Sequence, residues 1–302
     1  MEIIDPIVPT FRKTNYLSEA FILLGVALVS IFVFSLLGVF ICTLLYDVSL
    51  IDIEQIVKLK KESPFTSNIL KISQGFSLIG MFAGGIIYLL TTRKKVFEFI
   101  SFKRNLNALN FLFSIVLVFA TLPIVSYLVN LNSEIAKSLG YSSKNLMGVY
   151  ESLASYNGTS GMILSILIMS LLPAIAEETL FRGVIQTFIK KWSNKKHLAV
   201  IVTAFIFAII HGNPEQVIGI FILGLVLGYL FEFTGNLVYP MILHAANNLV
   251  SFFAMDYAKT NQEIEILSSE YTPDIMVVLL SAAVSIAIFV FLYKKSLNNN
   301  HE

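Results

Sequence analysis

The chain has 302 residues, of which 56% are apolar and only 14% are charged, and its mean hydropathy is +0.78. A soluble domain of ordinary composition is more polar, so this composition predicts a protein of the lipid bilayer. The 21 Lys and Arg residues nearly balance the 20 Asp and Glu residues, which argues against a nucleic-acid partner. The single cysteine, Cys42, excludes an internal disulfide and any multi-cysteine metal site, and we interpret it as a buried apolar residue.

Apolar stretches long enough to cross the hydrocarbon core, which takes roughly 20 residues, recur along the whole chain. We predict seven such spans, at residues 20–46, 69–91, 108–130, 161–189, 215–233, 236–256 and 274–293. An eighth apolar stretch, 198–211, would extend only about 21 Å as a helix, less than the ~30 Å core. The helix stop Gly212-Asn213-Pro214 follows it, so its end must be buried in protein or face a watery cavity. We therefore expect an all-α bundle of about eight membrane helices with His211 in an interior site.

The distribution of basic residues predicts the orientation of these spans. With a cytoplasmic N-terminus, the inside segments carry 13 Lys and Arg residues and the outside segments carry seven. The positive-inside rule then favours both termini in the cytoplasm, with the first span uncleaved. Between the third and fourth spans, apolar residues at helical spacing from Ile135 to Leu153 predict an amphipathic helix. This helix either lies on the outer interface or packs against the bundle.

Three charged residues lie within the fourth predicted span, where each charge costs roughly 2.5–3.5 kcal/mol on insertion scales. Glu178 and Arg182 are four residues apart on one helix face, so they can form an ion pair. Glu177 points about 100° away from Glu178 and remains for chemistry. The alternative is a purely structural brace in which neighbouring helices satisfy both glutamates.

Two of the four histidines, His211 and His244, lie within predicted spans, whereas His197 and His301 lie in polar segments. Asn247 and Asn248 follow His244 at the spacings that share a helix face, so an imidazole and an amide can meet one ligand there. An interhelical hydrogen bond is the alternative role for each of these groups. Counted from the predicted helix ends, Glu177, His211 and His244 all lie near the membrane midplane.

Prolines and glycines shape the same helices. Pro173 and Pro240 each stand four residues before a candidate site residue, and we predict a kink at each that opens a wet pocket. Gly224 and Gly228 form a small-xxx-small pair, which we interpret as a packing contact between helices.

Three short motifs occur in order on successive predicted membrane helices. They are Glu177-Glu178-x-x-x-Arg182, Phe207-x-x-x-His211 and His244-x-x-x-Asn248. Together they resemble the motifs of the CAAX prenyl protease and bacteriocin-processing (CPBP) family, over residues 161–256. The resemblance implies one transmembrane domain over residues 1–302, in which residues 161–256 form the catalytic core of an intramembrane endopeptidase. It also implies a membrane protein or peptide as substrate, and we expect the cell membrane of a prokaryote as the location.

The resemblance also assigns roles to the residues. Glu177 and His211 would activate a water molecule, and His244 and Asn248 would stabilise the oxyanion. Glu178 and Arg182 would orient these groups, with Asn247 and Phe207 as further supporting residues. We expect no cofactor.

Other chemistry and other functions stay open at this point. The set Glu177, His211 and His244 could instead bind zinc, although the helix motif His-Glu-x-x-His is absent from the sequence. A non-catalytic immunity or scaffold protein could retain the same motifs. A proton-coupled or ion-coupled transporter could use the charged residues as a path, but we see no internal inverted repeat.

Overall fold

The computed structural model describes residues 16–57, 65–92, 106–142, 144–260 and 272–298. Within these ranges the chain forms ten helices and no strand, which confirms the all-α prediction. The helices are α1 (Tyr16–Tyr46), α2 (Leu50–Val57), α3 (Thr66–Thr91), α4 (Ala108–Ser138), α5 (Lys144–Ala154), α6 (Gly158–Ser193), α7 (Lys196–Ile210), α8 (Val217–Thr234), α9 (Val238–Thr260) and α10 (Ile275–Asn298).

Six of the described helices are long and apolar enough to cross a membrane, namely α1, α3, α4, α6, α8 and α10. The protein is therefore a polytopic membrane protein, as its composition predicts. Helix α7 is short, with 15 residues, and α9 is long but carries several polar residues. A count of eight spans stays a prediction. Several of the basic residues that predict the orientation, including Arg12, Lys13 and those within 58–61 and 93–104, lie outside the described residues, as does His301.

The amphipathic helix predicted from Ile135 to Leu153 is in fact two helices, because α4 ends at Ser138 and α5 begins at Lys144. Gly140 separates them with a φ of +85°, a left-handed conformation that glycine adopts without strain and that ends helices. Leu153 is buried in one apolar cluster with residues of α3 and α6. Of the two alternatives, α5 is thus the packing helix.

Helix α2 is not predicted by the sequence analysis. Its Ile53 and Ile56 are buried in a small apolar cluster with Cys42 of α1 and Ile69 of α3. Cys42 is fully buried, forms no disulfide and lies 3.9 Å from the Ile69 carbonyl, which agrees with its interpretation as a buried apolar residue.

Helix α6 contains two segments of wider π-helical winding, Leu167–Leu171 and Thr179–Gln186. Such turns bond each N–H to the carbonyl five residues earlier, and they are frequent at functional sites. The first segment ends two residues before Pro173, which lacks the N–H that would continue the α-helical ladder. Pro240 lies in the first turn of α9, where its missing N–H breaks no helical hydrogen bond, so the kink predicted there is not required.

The two glycines of α8 form its close crossing with α7, as predicted. A Cβ atom on Gly224 would lie 3.0 Å from the Cβ atom of Ala204, and one on Gly228 would lie 2.9 Å from Val200 Cγ1. Both positions also lie beside α6, where the backbone carbonyls of the two glycines accept hydrogen bonds from Arg182 and Gln186.

Candidate active site

The predicted ion pair of Glu178 and Arg182 is present and fully buried. Arg182 Nη1 lies 2.8 Å from Glu178 Oε1, and both side chains have no solvent exposure. Arg182 Nη2 donates to the Gly224 carbonyl at 3.1 Å, and the guanidinium carbon lies 4.5 Å from the centre of the Phe207 ring. Arg182 is thus held by a carboxylate, a carbonyl and an aromatic face, and it fixes α6 against α7 and α8.

Glu178 has a second partner that the sequence analysis missed. His244 Nδ1 lies 2.8 Å from the same oxygen, Glu178 Oε1. A carboxylate paired with Arg182 only accepts hydrogen bonds, so Nδ1 of His244 is the donor. This bond fixes the ring of His244 and directs its Nε2 atom towards Glu177.

Glu177 faces both membrane histidines. Its Oε2 atom lies 3.9 Å from His211 Nε2 and 3.9 Å from His244 Nε2. These distances are too long for direct hydrogen bonds, and a bridging water can span them. Among the described residues, Glu177 Oε2 is buried and has no hydrogen-bond partner. The arrangement therefore presents a carboxylate oxygen and two imidazole nitrogens to one small region.

The position of His211 follows from the end of α7. Its Nδ1 atom lies 2.6 Å from the carbonyl of Phe207, and because a carbonyl can only accept, Nδ1 carries the proton. Gly212 follows with a φ of +61°, which ends the helix. Asn213 and Glu215, in the loop that follows, are 5% and 8% exposed. Gly212 and Pro214 are exposed and the His211 side chain is 27% exposed, so the short helix ends in a region that the protein encloses only in part.

Phe207 packs its ring against several residues of the site. Its ring lies 4.5 Å from the ring of His211, 6.0 Å from that of His244 and 5.0 Å from that of Phe181. Phe207 is only 1% exposed, and its ring packs against both the guanidinium of Arg182 and the ring of His211.

The two asparagines predicted beside His244 lie on α9, and both are half-buried. Asn248 follows His244 by one helical turn. None of the hydrogen bonds found between described residues joins the Asn248 side chain to Glu177 or to either histidine. The structure thus brings together Glu177, Glu178, Arg182, His211 and His244, and it leaves the part played by Asn247 and Asn248 to be proposed.

The donor set does not fit a zinc ion in this arrangement. Tetrahedral zinc with bonds of about 2.0–2.1 Å needs ligand atoms about 3.4 Å apart. The carboxylate oxygen of Glu177 is 3.9 Å from each imidazole nitrogen. Over the described part of the chain, no group of three or more His, Cys, Asp or Glu side chains is placed to hold a metal ion.

Gln186 and Tyr150 lie beside the site but belong to none of the three sequence motifs. Gln186 is buried one turn after Arg182, and its Nε2 atom donates to the Gly228 carbonyl at 3.1 Å. Tyr150 of α5 is half-buried against the apolar cluster of Leu70, Leu153 and Ile168. Burial, and then the negative charge of Glu177, raise the pKa of Tyr150. Helix α5 therefore borders the region that Glu177 faces, which only the tertiary fold reveals.

A known protein family matches the segment of the chain that carries the site residues. Residues 159–250 match the family model described as type II CAAX prenyl endopeptidase Rce1-like. The match confirms the resemblance to the CAAX protease family, and this family points to a protease. The matched segment runs from α6 into α9 and contains all three motifs.

A protein of Bacillus subtilis (strain 168), called "Uncharacterized protein YpbD", is similar to part of the chain. It is 39% identical over 83 residues, which is 26% of this chain and 39% of that protein. The chain thus spans well under half the length of this relative. No solved structure matches the chain.

Proposed function

We propose that the protein is an intramembrane endopeptidase that hydrolyses peptide bonds of membrane-associated proteins or peptides. One observation supports this most strongly. A buried carboxylate oxygen of Glu177, without a hydrogen-bond partner among the described residues, lies 3.9 Å from two imidazole nitrogens. Such a group has an energetic cost in the membrane, and a catalytic role accounts for its presence.

In the proposed reaction, Glu177 acts as the general base. It removes a proton from a water molecule held between its carboxylate and His211, and the water oxygen adds to the peptide carbonyl carbon. The carbonyl oxygen becomes negative and accepts hydrogen bonds from His244 in its protonated form and from the amide of Asn248. The proton held by Glu177 then passes to the amide nitrogen as the carbon–nitrogen bond breaks.

The buried ion pair gives this reaction its geometry. Glu178 holds Nδ1 of His244 and is itself held by Arg182, so the ring of His244 has one orientation. A positioned donor stabilises a developing charge better than a mobile one, because it need not reorganise during the reaction. Glu178 and Arg182 therefore act through His244, whereas Asn247 and Phe207 support the packing of the site.

The fold and the motifs also support a proposal for the setting. Residues 161–256 would be the catalytic core of a single transmembrane domain, with both chain termini in the cytoplasm of a prokaryotic cell. The substrates would be membrane-associated, of the CAAX type or the bacteriocin-leader type. The chemistry described needs no nucleic acid and no cofactor.

The proposal is tested by cleavage in a defined system. The purified protein in lipid nanodiscs is incubated with a peptide library that contains lipidated and unlipidated members, and the products are mapped by mass spectrometry. We expect discrete cut sites with the wild type and none with Glu177→Gln. The matched control is Glu232→Gln, the same substitution at a residue that pairs with Lys190 outside the site, and it should cleave normally. Equal cleavage by the Glu177 variant would contradict the proposal, as would a proton or ion flux without any cleavage.

A further inference from the structure

The loop after His211 is held by a helix from a distant part of the chain. Asn132 of α4 is 5% exposed. Its Nδ2 atom donates to the Pro214 carbonyl at 2.8 Å, and its Oδ1 atom accepts from the backbone N–H of Ile218 at 2.8 Å. Both halves of one amide group are thus used, on the two sides of the loop that leads from α7 into α8.

The backbone groups that Asn132 binds have no helical partner of their own. Ile218 is the second residue of α8, and the N–H groups of a first helical turn lack an intrahelical acceptor. The carbonyl of Pro214 lies in the loop before that turn. In a membrane protein such groups must be satisfied within the protein, and Asn132 satisfies one of each kind.

A second residue of α4 strengthens the same attachment. Ser133 Oγ donates to Glu215 Oε2 at 3.0 Å, and the N–H of Glu215 donates to Asn213 Oδ1 at 3.1 Å. We call Asn132 and Ser133 the α4 clamp. The clamp contacts Pro214, Glu215 and Ile218, so it holds a segment that begins three residues after His211.

We propose that the α4 clamp positions His211 for the reaction, with Asn132 as its principal residue. The Nδ1 hydrogen bond fixes the ring of His211 only relative to α7. Its distance from Glu177 also depends on where the end of α7 lies, and this end continues through Gly212 into the clamped loop. The expected loss of cleavage rests on the proposed function. The expected displacement of His211 does not depend on it.

The clamp also joins a residue outside the matched family segment to a loop inside that segment. The matched family segment covers residues 159–250, whereas Asn132 lies before it. The inference therefore assigns a role in the site to α4, which contributes none of the three motifs. A misplacement of about 1 Å costs up to about 100-fold in rate when reacting groups must be aligned, so a clamp of this kind has a measurable effect.

The test uses full-length variants in nanodiscs. Asn132→Leu removes both hydrogen bonds at nearly constant size, whereas Asn132→Asp keeps the acceptor for Ile218 and turns a carboxylate oxygen towards the Pro214 carbonyl in place of the donor. The matched control is Asn130→Leu on the same helix, because Asn130 donates to the exposed Thr272 at 3.0 Å, which lies outside the loop. The first measurement is hydrogen–deuterium exchange at C2 of each histidine, read by mass spectrometry, which needs no activity. The second is kcat and KM for a cleaved peptide.

We expect Asn132→Leu to change the exchange rate of His211 at least threefold, to leave His197 unchanged, and to lower kcat at least tenfold with KM within about twofold. Asn132→Asp should show the same selective pattern, because it loses the hydrogen bond to Pro214, and Asn130→Leu should match the wild type. Unchanged exchange at His211 would overturn the inference, as would an equal change at His197, which indicates general loosening. A selective change at His211 in a protein that cleaves nothing would uphold the clamp and contradict the proposed function instead.

Discussion

The buried ion pair of Arg182 and Glu178 allows a sharp prediction about stability. Replacing Arg182 with Met leaves the carboxylate of Glu178 at zero exposure without its cationic partner. Breaking a buried pair in this way costs about 3–5 kcal/mol. Glu178 keeps the hydrogen bond from His244, so we expect a value near the lower end, about 3 kcal/mol. The double variant Arg182→Met/Glu178→Gln should recover part of this loss, because it leaves no unpaired charge.

A partly exposed ion pair of the same chain is the matched control. Lys190 Nζ lies 2.6 Å from Glu232 Oε1, with the lysine side chain 50% exposed and the glutamate side chain 8% exposed. Because water reaches the cation, such a pair is closer to an exposed pair, which contributes about 0–1 kcal/mol, so Lys190→Met should destabilise the protein less than Arg182→Met. The assay is reversible unfolding of the purified variants in mixed micelles, analysed as a double-mutant cycle. The reasoning is refuted if Arg182→Met destabilises the protein no more than Lys190→Met does.

Four further predictions follow from the contacts and from the composition of the site. Gly224→Ala should destabilise the protein by about 1–3 kcal/mol in the same unfolding assay, because its Cβ atom would press into α7. The control Gly25→Ala should be tolerated, because its Cβ atom would meet no described atom within 4 Å. The hydrogen bond to Asp256, followed by burial, raises the pKa of Tyr156 above its ordinary value of 10. The neutral phenol is thus favoured in the folded state. Its contribution to stability is fully present below pH 10 and is lost as the pH rises above 10. Above pH 10 the melting temperature should therefore fall more steeply with pH for the wild type than for Tyr156→Phe. Cysteines introduced at Ser193 and Tyr141 should be labelled by an impermeant reagent from opposite sides of the membrane, and labelling from one side would overturn the predicted orientation. Exhaustive chelation should leave peptide cleavage unchanged, whereas a loss that added zinc restores would assign Glu177 and the histidines as ligands.

Local features of the chain could be predicted because they depend on residues close in sequence. The lengths of the apolar stretches predicted the six candidate spans α1, α3, α4, α6, α8 and α10, and the four-residue separation of Glu178 and Arg182 predicted the ion pair. The shortness of the stretch 198–211 predicted an interior end of α7, and in the structure His211 is half-buried there.

Features that depend on distant residues could not be predicted. The bond between Glu178 and His244 joins positions 66 residues apart, and the bond between Asn132 and Ile218 joins positions 86 residues apart. No helical periodicity carries such information. The π-helical winding around Arg182 is also invisible to a count based on 3.6 residues per turn. Gly140 signals the break after α4 only once its positive φ is known, because glycine is also tolerated within helices.

The most direct test of the central claim is the rate of peptide cleavage by the wild type and by Glu177→Gln, measured under single-turnover conditions in the same nanodiscs. A general base contributes about 10²–10⁴-fold to a rate, so we predict a loss of at least about 100-fold, with binding of the peptide retained. His211→Ala and His244→Ala should show losses of similar size, and each double variant with Glu177→Gln should be little worse than the single variants, because the three groups act together. Cleavage by Glu177→Gln at the wild-type rate would contradict the account.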